Sequence, residues 1–340
     1  MNDTPRRRRW LSIPILLGVF AVILLLALCA GSEGFTPGRL LSVLMNGQDS
    51  IAHTILFRIR LPRVLLGIAV GGALSLAGVM LQGVFRNPLV EPYTLGISGG
   101  AALGVCLNVL FRLSATLGSW TLPLAGFLGA LASITLVSML MLRRRFSSVR
   151  DLLLVGVMIS FVCSSLVMLI MAISRDEDLH GIVFWLMGSL DEPNTFLIGL
   201  AAAVSLLALA VSWLFSLNLN AMALGEEEAT HLGVRVELTK RVLFLLASLA
   251  TGLSVSVAGV IGFVGLVVPH FMRLYVGGDH RLLLPASWLC GAAFLVLCDT
   301  LARTVFSPVE LPVGVITGIL GGSLFVYALS AGRTLSGGRP

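Results

Sequence analysis

Asp299 and Arg303 are the clearest pair of ionisable side chains inside an apolar stretch of this 340-residue sequence. On a helix they would lie one turn apart, where an acid and a base can form an ion pair. A carboxylate within a membrane span can instead carry a coupling ion or a proton. Asp299 is therefore either one half of a structural pair or the coupling site of an ion-driven carrier.

Lys240 is the only lysine in the chain, and its setting excludes one chemistry. A P-loop needs the pattern GxxxxGK[ST], in which the lysine reaches the phosphates of a nucleotide. Lys240 stands in Leu-Thr-Lys-Arg with no glycine in place. The chain is thus not its own ATPase of that type. A membrane-embedded enzyme is not indicated either, because the apolar stretches hold no cluster of His, Asp, Glu or Cys.

The remaining candidate metal ligands are interpreted as structural. His270 follows Pro269 in a predicted helix break, and His280 flanks a charged loop. The five cysteines are scattered through apolar runs without a CxxC pair, which favours small core residues over disulfides or ligands; they are Cys29, Cys106, Cys163, Cys290 and Cys298. No metal site is predicted.

These residues are set in a very apolar chain. Apolar residues make up 57% and charged residues 12%, and the mean hydropathy is +0.99. Soluble domains are about 45–50% apolar and about 25% charged, so a soluble enzyme is excluded. The composition indicates one all-α integral membrane domain over residues 1–340. The net charge of +6 is attributed to membrane topology rather than to nucleic-acid binding.

The apolar runs predict ten membrane spans. A 34-residue run would form a helix about 51 Å long, against a hydrocarbon core of ~30 Å, so we divide it near Gly259. Gly262, Gly265 and Pro269 offer further breaking points. The runs are 11–30, 62–84, 94–111, 120–142, 151–173, 195–216, 242–275, 282–303 and 311–331.

The basic residues give these spans an orientation. With ten spans, 16 basic residues fall on one side and 7 on the other, and the richer side is cytoplasmic by the positive-inside rule. The main markers are Arg6–Arg9 and Arg143–Arg145. The first run is longer than the apolar region of a signal peptide, so we interpret it as an anchor. Both termini are expected in the cytoplasm.

An internal repeat relates the two halves of the chain. Shifting the sequence by 181 positions lays residues 60–88 over 241–269, with nine of 29 positions identical. Segments rich in Gly and Ala can look alike by composition alone. The alternative is an inverted repeat of spans 2–5 and 7–10, because the matched spans run in opposite directions. Such repeats are typical of transporters.

The connection 217–233 is predicted to form two short cytoplasmic helices. Asn218 or Asn220 would cap the first, Gly225 would end it, and Glu226 would begin an acidic first turn of the second. Gly233 would end the second helix. We expect these helices to couple the chain to an ATPase through Met222, Leu224, Gly225, Glu226, Ala229, Leu232 and Gly233; a solvated loop with incidental helicity is the alternative.

An ordered set of motifs resembles the FecCD-type permeases of ATP-binding-cassette importers for iron-siderophores, haem and cobalamin. The motifs cover about 60–330. They are Arg60-Leu61-Pro62-Arg63, Gln82 with Arg86-Asn87-Pro88-Leu89, Phe184-Trp185-Leu186-Met187-Gly188, Leu224-Gly225 through Leu232-Gly233, Gly262-Phe263-Val264-Gly265, Val268-Pro269-His270, Asp279-His280-Arg281, Asp299 to Arg303, and Glu310-Leu311-Pro312-Val313-Gly314.

The resemblance implies a type II importer permease of ten helices in the inner membrane, which forms a homodimer, or a close heterodimer, around a central path. It implies two partner ATPases, which would bind the ATP and Mg, and a periplasmic substrate-binding protein; the chain itself would hold no cofactor. Arg60, Arg63 and Arg303 match positions that dock the binding protein. From the residues alone, these arginines could equally anchor helix ends at lipid headgroups or pair within the chain. The rival function is an ion-coupled secondary transporter that uses Asp299.

Overall fold

The computed structural model describes residues 12–31, 35–46, 51–141, 149–307 and 309–336. The orientation markers Arg6–Arg9 and Arg143–Arg145 lie outside the described residues. Within the described part the elements are helical. They are α1 (Ser12–Cys29), α2 (Pro37–Asn46), α3 (Ile51–Phe85), α4 (Ile97–Leu110), α5 (Leu113–Leu117), α6 (Thr121–Met141), α7 (Val149–Ile173), α8 (Asp176–Leu186), α9 (Thr195–Leu214), α10 (Ser216–Met222), α11 (Glu226–His231), α12 (Val236–Ala258), α13 (Val264–Val276), α14 (His280–Thr304) and α15 (Val313–Ser336).

Each of the ten predicted spans coincides with one of these helices. Seven helices in the described ranges are long and apolar enough to cross a membrane, namely α1, α3, α6, α7, α9, α12 and α14. The other three spans are α4, α13 and α15, whose apolar stretches are shorter. The 13 residues of α13 extend about 20 Å, so α13 by itself does not cross a ~30 Å hydrocarbon core.

Helix α3 forms the centre of the bundle. In its most apolar window 89% of the residues are buried, compared with 11% in α1. Small residues allow its neighbours to approach closely. A Cβ added to Gly71 would lie 2.3 Å from the carbonyl oxygen of Gly291 in α14, and a Cβ on Gly78 would collide with the backbone of Gly265 in α13. Side chains at these positions would force the helices apart.

The predicted break near Gly259 is confirmed. Gly259 caps the end of α12 with φ of 69°, and a Cβ there would lie 2.3 Å from the carbonyl oxygen of Trp185. The backbone is not helical again until Val264, after Phe263 in a left-handed conformation with φ of 69°. The long apolar run is therefore two helices.

The two halves of the bundle have the same order of helix lengths. In each, a long helix (α3 or α12) is followed by a short one and two long ones. Both short helices also start after a left-handed residue, Gly96 before α4 and Phe263 before α13. This order supports the inverted repeat. Matched residues 181 positions apart have the same helical structure only as far as Gly78 and Gly259. Beyond that point α3 continues through Gly78, whereas α12 stops at Gly259.

Candidate functional site

A buried ion-pair network joins α3 to the last turns of α14. The Nε of Arg63 donates to Oδ1 of Asp299 at 2.9 Å, and the Nε of Arg303 donates to Oδ2 of the same carboxylate at 3.0 Å. Arg63 also donates through Nη1 to Glu310 at 2.8 Å. Both oxygens of Asp299 are thus held by guanidinium groups, and the paired interpretation of Asp299 and Arg303 is the one that the structure shows.

Arg60 lies apart from this network. Its Nη1 donates to the carbonyl oxygens of Leu28 at 2.7 Å and Cys29 at 3.2 Å, and its guanidinium lies 4.4 Å from the ring centroid of Phe35. These contacts fasten the end of α1 to α3. The sequence predicted Arg60, Arg63 and Arg303 together as docking residues, and the structure shows Arg63 and Arg303 bound to the same carboxylate, that of Asp299.

The exposure of Arg60 and of the ion-pair network determines which of their side chains a partner protein could reach. Arg60, Arg63 and Arg303 are buried, with 3%, 8% and 8% of their surface exposed. The side chain of Glu310 is 56% exposed, so it is the member that reaches solvent. The Nη2 of Arg303 is buried and has no hydrogen-bond partner among the described residues. Docking by the three arginines remains a prediction. At Arg63 it requires an incoming carboxylate to compete with Glu310.

A second cluster satisfies the irregular backbone between α12 and α13. The backbone N–H of Phe263 donates to Glu91 at 2.9 Å, and the Tyr93 hydroxyl donates to the carbonyl oxygen of Ile261 at 2.9 Å. Non-helical backbone at membrane depth is tolerated where protein groups satisfy it, and the Glu91 carboxylate complements the positive end of α13. The segment that precedes α4 therefore lies against the backbone that leads into α13.

Sequence reasoning missed Glu91 and Tyr93. Glu91 is the only acidic residue between Asp49 and Asp151, so its isolation between two apolar runs was a usable signal. Its partner lies 172 positions along the chain. No local pattern contains that pairing.

The predicted pair of short helices is present as α10 and α11, which we call the elbow. Helix α10 ends at Met222 rather than at Gly225. Gly225 instead precedes α11 with φ of 145°, a conformation that side chains rarely adopt. Glu226–Glu228 form the first turn of α11 as predicted, and Gly233 follows its end with φ of 84°.

The elbow residues divide into an inner and an outer set. Met222 and Ala229 are fully buried and pack with Val236, so they shape the elbow instead of facing a partner. Leu224 and Leu232 are 69% and 65% exposed. Glu226 pairs with Lys240 at the start of α12. Of the residues predicted to contact an ATPase, Leu224 and Leu232 are therefore the apolar side chains that lie at the surface.

The two asparagines of the elbow do not cap it. Phe215 is the N-cap of α10 and makes no side-chain cap bond. Asn218 donates to the Thr239 hydroxyl at 3.0 Å, and Asn220 donates to Oδ1 of Asp279 at 2.7 Å. Both side chains reach other helices because their positions fall within the helix rather than at its start.

Asp279 caps α14 and is strongly hydrogen-bonded. Burial alone would raise the pKa of its carboxyl. The hydrogen bonds from Asn220 and from the backbone of Arg281, with the charges of Arg281 and His280, outweigh burial and lower the pKa below its ordinary value. The carboxylate is therefore ionised at neutral pH and favours the helix start.

The histidines and cysteines are not grouped. His270 lies between the rings of Phe271 and Phe325, with centroids 6.0 and 5.9 Å away. The five cysteines have no disulfide partner. Among the residues that the structure describes, no three His, Cys, Asp or Glu side chains stand close enough to hold a metal ion.

Comparison with known sequences places this architecture. Residues 19–331 match the FecCD transport family. The hemin transport system permease protein HmuU of Yersinia pestis is 41% identical over 321 residues, which is 93% of this chain and 96% of that protein. The vitamin B12 import system permease protein BtuC of Klebsiella pneumoniae is 40% identical over 329 residues, covering 96% and 95%.

Two solved transporter structures are similar to this fold. A putative metal-chelate type ABC transporter in an inward-facing conformation superposes with a TM-score of 0.80 at 31% identity, over 96% of this chain and 99% of that one. PsaBC from Streptococcus pneumoniae reaches 0.59 at 15% identity over 86% and 95%, which shows the shared fold alone. The fold and its sites define a multi-pass membrane permease. The chain belongs to the FecCD transport family.

Proposed function

We propose that the chain is the transmembrane subunit of an ATP-binding-cassette importer that moves a metal chelate across the inner membrane. The candidate cargoes are an iron-siderophore, haem and cobalamin. The observation that carries the proposal is the match at 40–41% identity to a haem permease and a vitamin B12 permease over more than nine-tenths of each chain. A chelate brings its metal already coordinated, so the permease needs no ligands of its own.

Energy for transport comes from two partner ATPases, which bind the ATP and Mg. The chain lacks a P-loop lysine, and the elbow presents Leu224 and Leu232 to solvent on two short helices. Exposed apolar side chains on such a projection are suited to a protein partner. The permease itself is non-catalytic.

A second permease copy completes the transport path. Helices α7 and α15 expose large apolar side chains, among them Phe161 and Leu169 in α7 and Ile319 and Tyr327 in α15. These faces suit either lipid or another copy, and a homodimer is the arrangement we propose. Both termini lie in the cytoplasm, and the outer face receives a periplasmic substrate-binding protein.

The ion-coupled alternative is disfavoured by the geometry of Asp299. Both of its oxygens accept from arginines, and the residue is 2% exposed. A coupling ion would have to displace a guanidinium from each oxygen it used. No second buried carboxylate of the described residues stands beside Asp299 to take over the charge.

The test is co-purification of the partners. The full-length chain, tagged and expressed with its chromosomal partners, should bring down an ATPase with Walker motifs. Leu224→Asp together with Leu232→Asp should abolish this while the permease still inserts. The matched control is Leu117→Asp, which makes the same change at a leucine that is 60% exposed in the short helix α5. Recovery of the wild-type chain without any ATPase would refute the proposal.

A further inference from the structure

The side chain of Asn220 makes three hydrogen bonds to the first two residues at the start of α14. Its Nδ2 donates to Oδ1 of Asp279 at 2.7 Å. Its Oδ1 accepts from the backbone N–H of His280 at 2.9 Å and lies 2.8 Å from Nδ1 of the same residue. Because an amide oxygen only accepts, Nδ1 of His280 carries the proton. The elbow thus holds the N-cap of a membrane helix directly.

The first turn of α14 is also held by α9, the helix that precedes the elbow. Pro285 lies inside α14 and has no N–H, so it leaves the carbonyl oxygen of Arg281 without its helical donor. The indole Nε1 of Trp213, in α9, donates to that oxygen at 3.2 Å. Helix α9 leads into α10 after a single residue. The start of α14 is therefore fixed both to α10 of the elbow and to α9, which leads into it.

The far end of α14 carries the outer ion-pair network. The helix runs unbroken for 25 residues from His280 to Thr304, about 37 Å, and Asp299 and Arg303 lie in its last turns. Between its ends it is packed tightly on α3. A Cβ on Gly291 would lie 2.4 Å from the carbonyl oxygen of Gly71, and Ser75 donates to the carbonyl oxygen of Ser287 at 2.8 Å.

Helix α3 contacts both the ion-pair network and the elbow. Its Arg63 binds Asp299 at the outer end. Near its inner end, a Cβ on Gly83 would lie 2.9 Å from Leu219 of the elbow and 3.2 Å from Nε2 of His280. Helices α3 and α14 form one packed pair that reaches from the elbow to the outer network. Packed interiors shift between discrete arrangements rather than deforming continuously.

We propose that Asn220 is a positioning residue that fixes the start of α14 to the elbow, so that displacement of the elbow moves the α3–α14 pair and, with it, the outer ion-pair network. This inference rests on the proposed function, because it assumes that an ATPase acts on the elbow. Asn218 is not equivalent to Asn220, since its one bond is to Thr239 on α12.

The test exchanges the two polar partners. Asn220→Asp replaces the amide donor by a carboxylate that faces the Asp279 carboxylate, so the clamp is repelled. Adding Asp279→Asn restores one donor and one acceptor across the contact, and Asn is itself a good N-cap. Asn218→Asp is the matched control: it adds the same charge to α10, and the Thr239 hydroxyl, which accepts from Asn218 in the wild type, can turn to donate to the new carboxylate.

Each variant is reconstituted in lipid nanodiscs with its ATPase, and ATP hydrolysis is measured with and without the binding protein. For Asn220→Asp we expect basal hydrolysis to stay within about twofold and the stimulated-to-basal ratio to fall about two- to thirtyfold, the range typical of coupling residues. The double variant should recover the ratio, and Asn218→Asp should match wild type. A merely structural role would lower assembly and basal hydrolysis together.

Two results would overturn the inference. One is an unchanged ratio for Asn220→Asp in complexes that assemble and hydrolyse ATP normally. The other is a double variant no better than the single one. A wild-type chain that recruits no ATPase would overturn the proposed function and this inference with it, so the two failures are distinguishable.

Discussion

Asp299 shows how a single carboxylate organises the outer end of the bundle. It bridges two buried arginines, one from its own helix and one from α3. Isolated charges are very costly to bury, whereas hydrogen-bonded pairs are tolerated. Asp299 therefore contributes to stability mainly by neutralising the buried charges of Arg63 and Arg303.

Replacing Asp299 by Asn should leave the charge of Arg303 without a carboxylate. Removing one partner of a buried pair typically costs about 3–5 kcal/mol, so the thermal midpoint of the purified protein should fall sharply. The folded remainder should still transport in an ATP-driven manner. Asp178→Asn is the control, because its pair with Arg112 spans 3.9 Å with both side chains partly exposed, and such pairs give about 0–1 kcal/mol. Equal shifts for both variants would contradict this account.

Glu310 occupies the only solvent-reaching position of the ion-pair network. If the binding protein docks through a carboxylate, that carboxylate must compete with Glu310 for Arg63. Glu310→Gln should then strengthen binding about two- to fivefold, since exposed pairs are weak. Glu192→Gln, in another outer loop, is the control. Weaker binding by the Glu310 variant, measured by titration at low salt, would show that Glu310 itself contacts the partner.

At the scale of the elements, the bundle depends on close approach between helices that carry glycine. The contact between Gly71 and Gly291 brings α3 and α14 together with backbone atoms at the interface. Glycine is costly in a free helix, so its presence here reflects packing. The same substitution should consequently have opposite effects at packed and open positions.

Gly291→Ala should destabilise the protein, because its methyl group would lie 2.4 Å from the carbonyl oxygen of Gly71. Overpacking costs about 1–3 kcal/mol. Gly318→Ala, where nothing lies within 4 Å of the new methyl group, should be neutral or stabilising by up to about 1 kcal/mol. Thermal unfolding in detergent compares the two. A larger loss at Gly318 would mean that the α3–α14 contact is not close.

Gly225→Val should uncouple hydrolysis from uptake while insertion stays normal. The residue has φ of 145°, and its new side chain would collide with the Glu228 carboxylate, so the turn between α10 and α11 would have to rearrange. Gly181→Val adds the same side chain in open space and is the control. Uptake at the wild-type rate in the Gly225 variant would remove the elbow from the mechanism.

Much of the helix arrangement could be predicted from the sequence. Apolar run length and the position of Gly259 predicted the ten helices and the break, because a hydrocarbon core constrains both. Spacing of four residues predicted the Asp299–Arg303 pair. The partners Arg63 and Glu91 could not be found this way, since each meets its contact more than 150 positions away. Asn220 was mistaken for a cap because capping is a local rule and its real contacts are tertiary.

On the scale of the whole molecule, the asymmetry of basic residues predicts an orientation in the membrane. With ten spans and the elbow in the cytoplasm, the acidic start of α8 is expected on the outer side. Cysteine labelling of Glu227→Cys and Asp178→Cys in intact cells tests this arrangement. Glu227→Cys should react only after permeabilisation, and Asp178→Cys should react before it. Reaction of both from the same side would contradict the ten-span topology.

The function proposed for this permease is import of a metal chelate at the expense of ATP hydrolysed by a partner. The most direct measurement is uptake of labelled haem, cobalamin and iron-siderophore into proteoliposomes that contain the chain, its ATPase and its binding protein. We expect uptake of one of these chelates that requires enclosed ATP and persists when proton and sodium gradients are collapsed. Uptake that follows an imposed ion gradient and needs neither ATP nor the ATPase would contradict it.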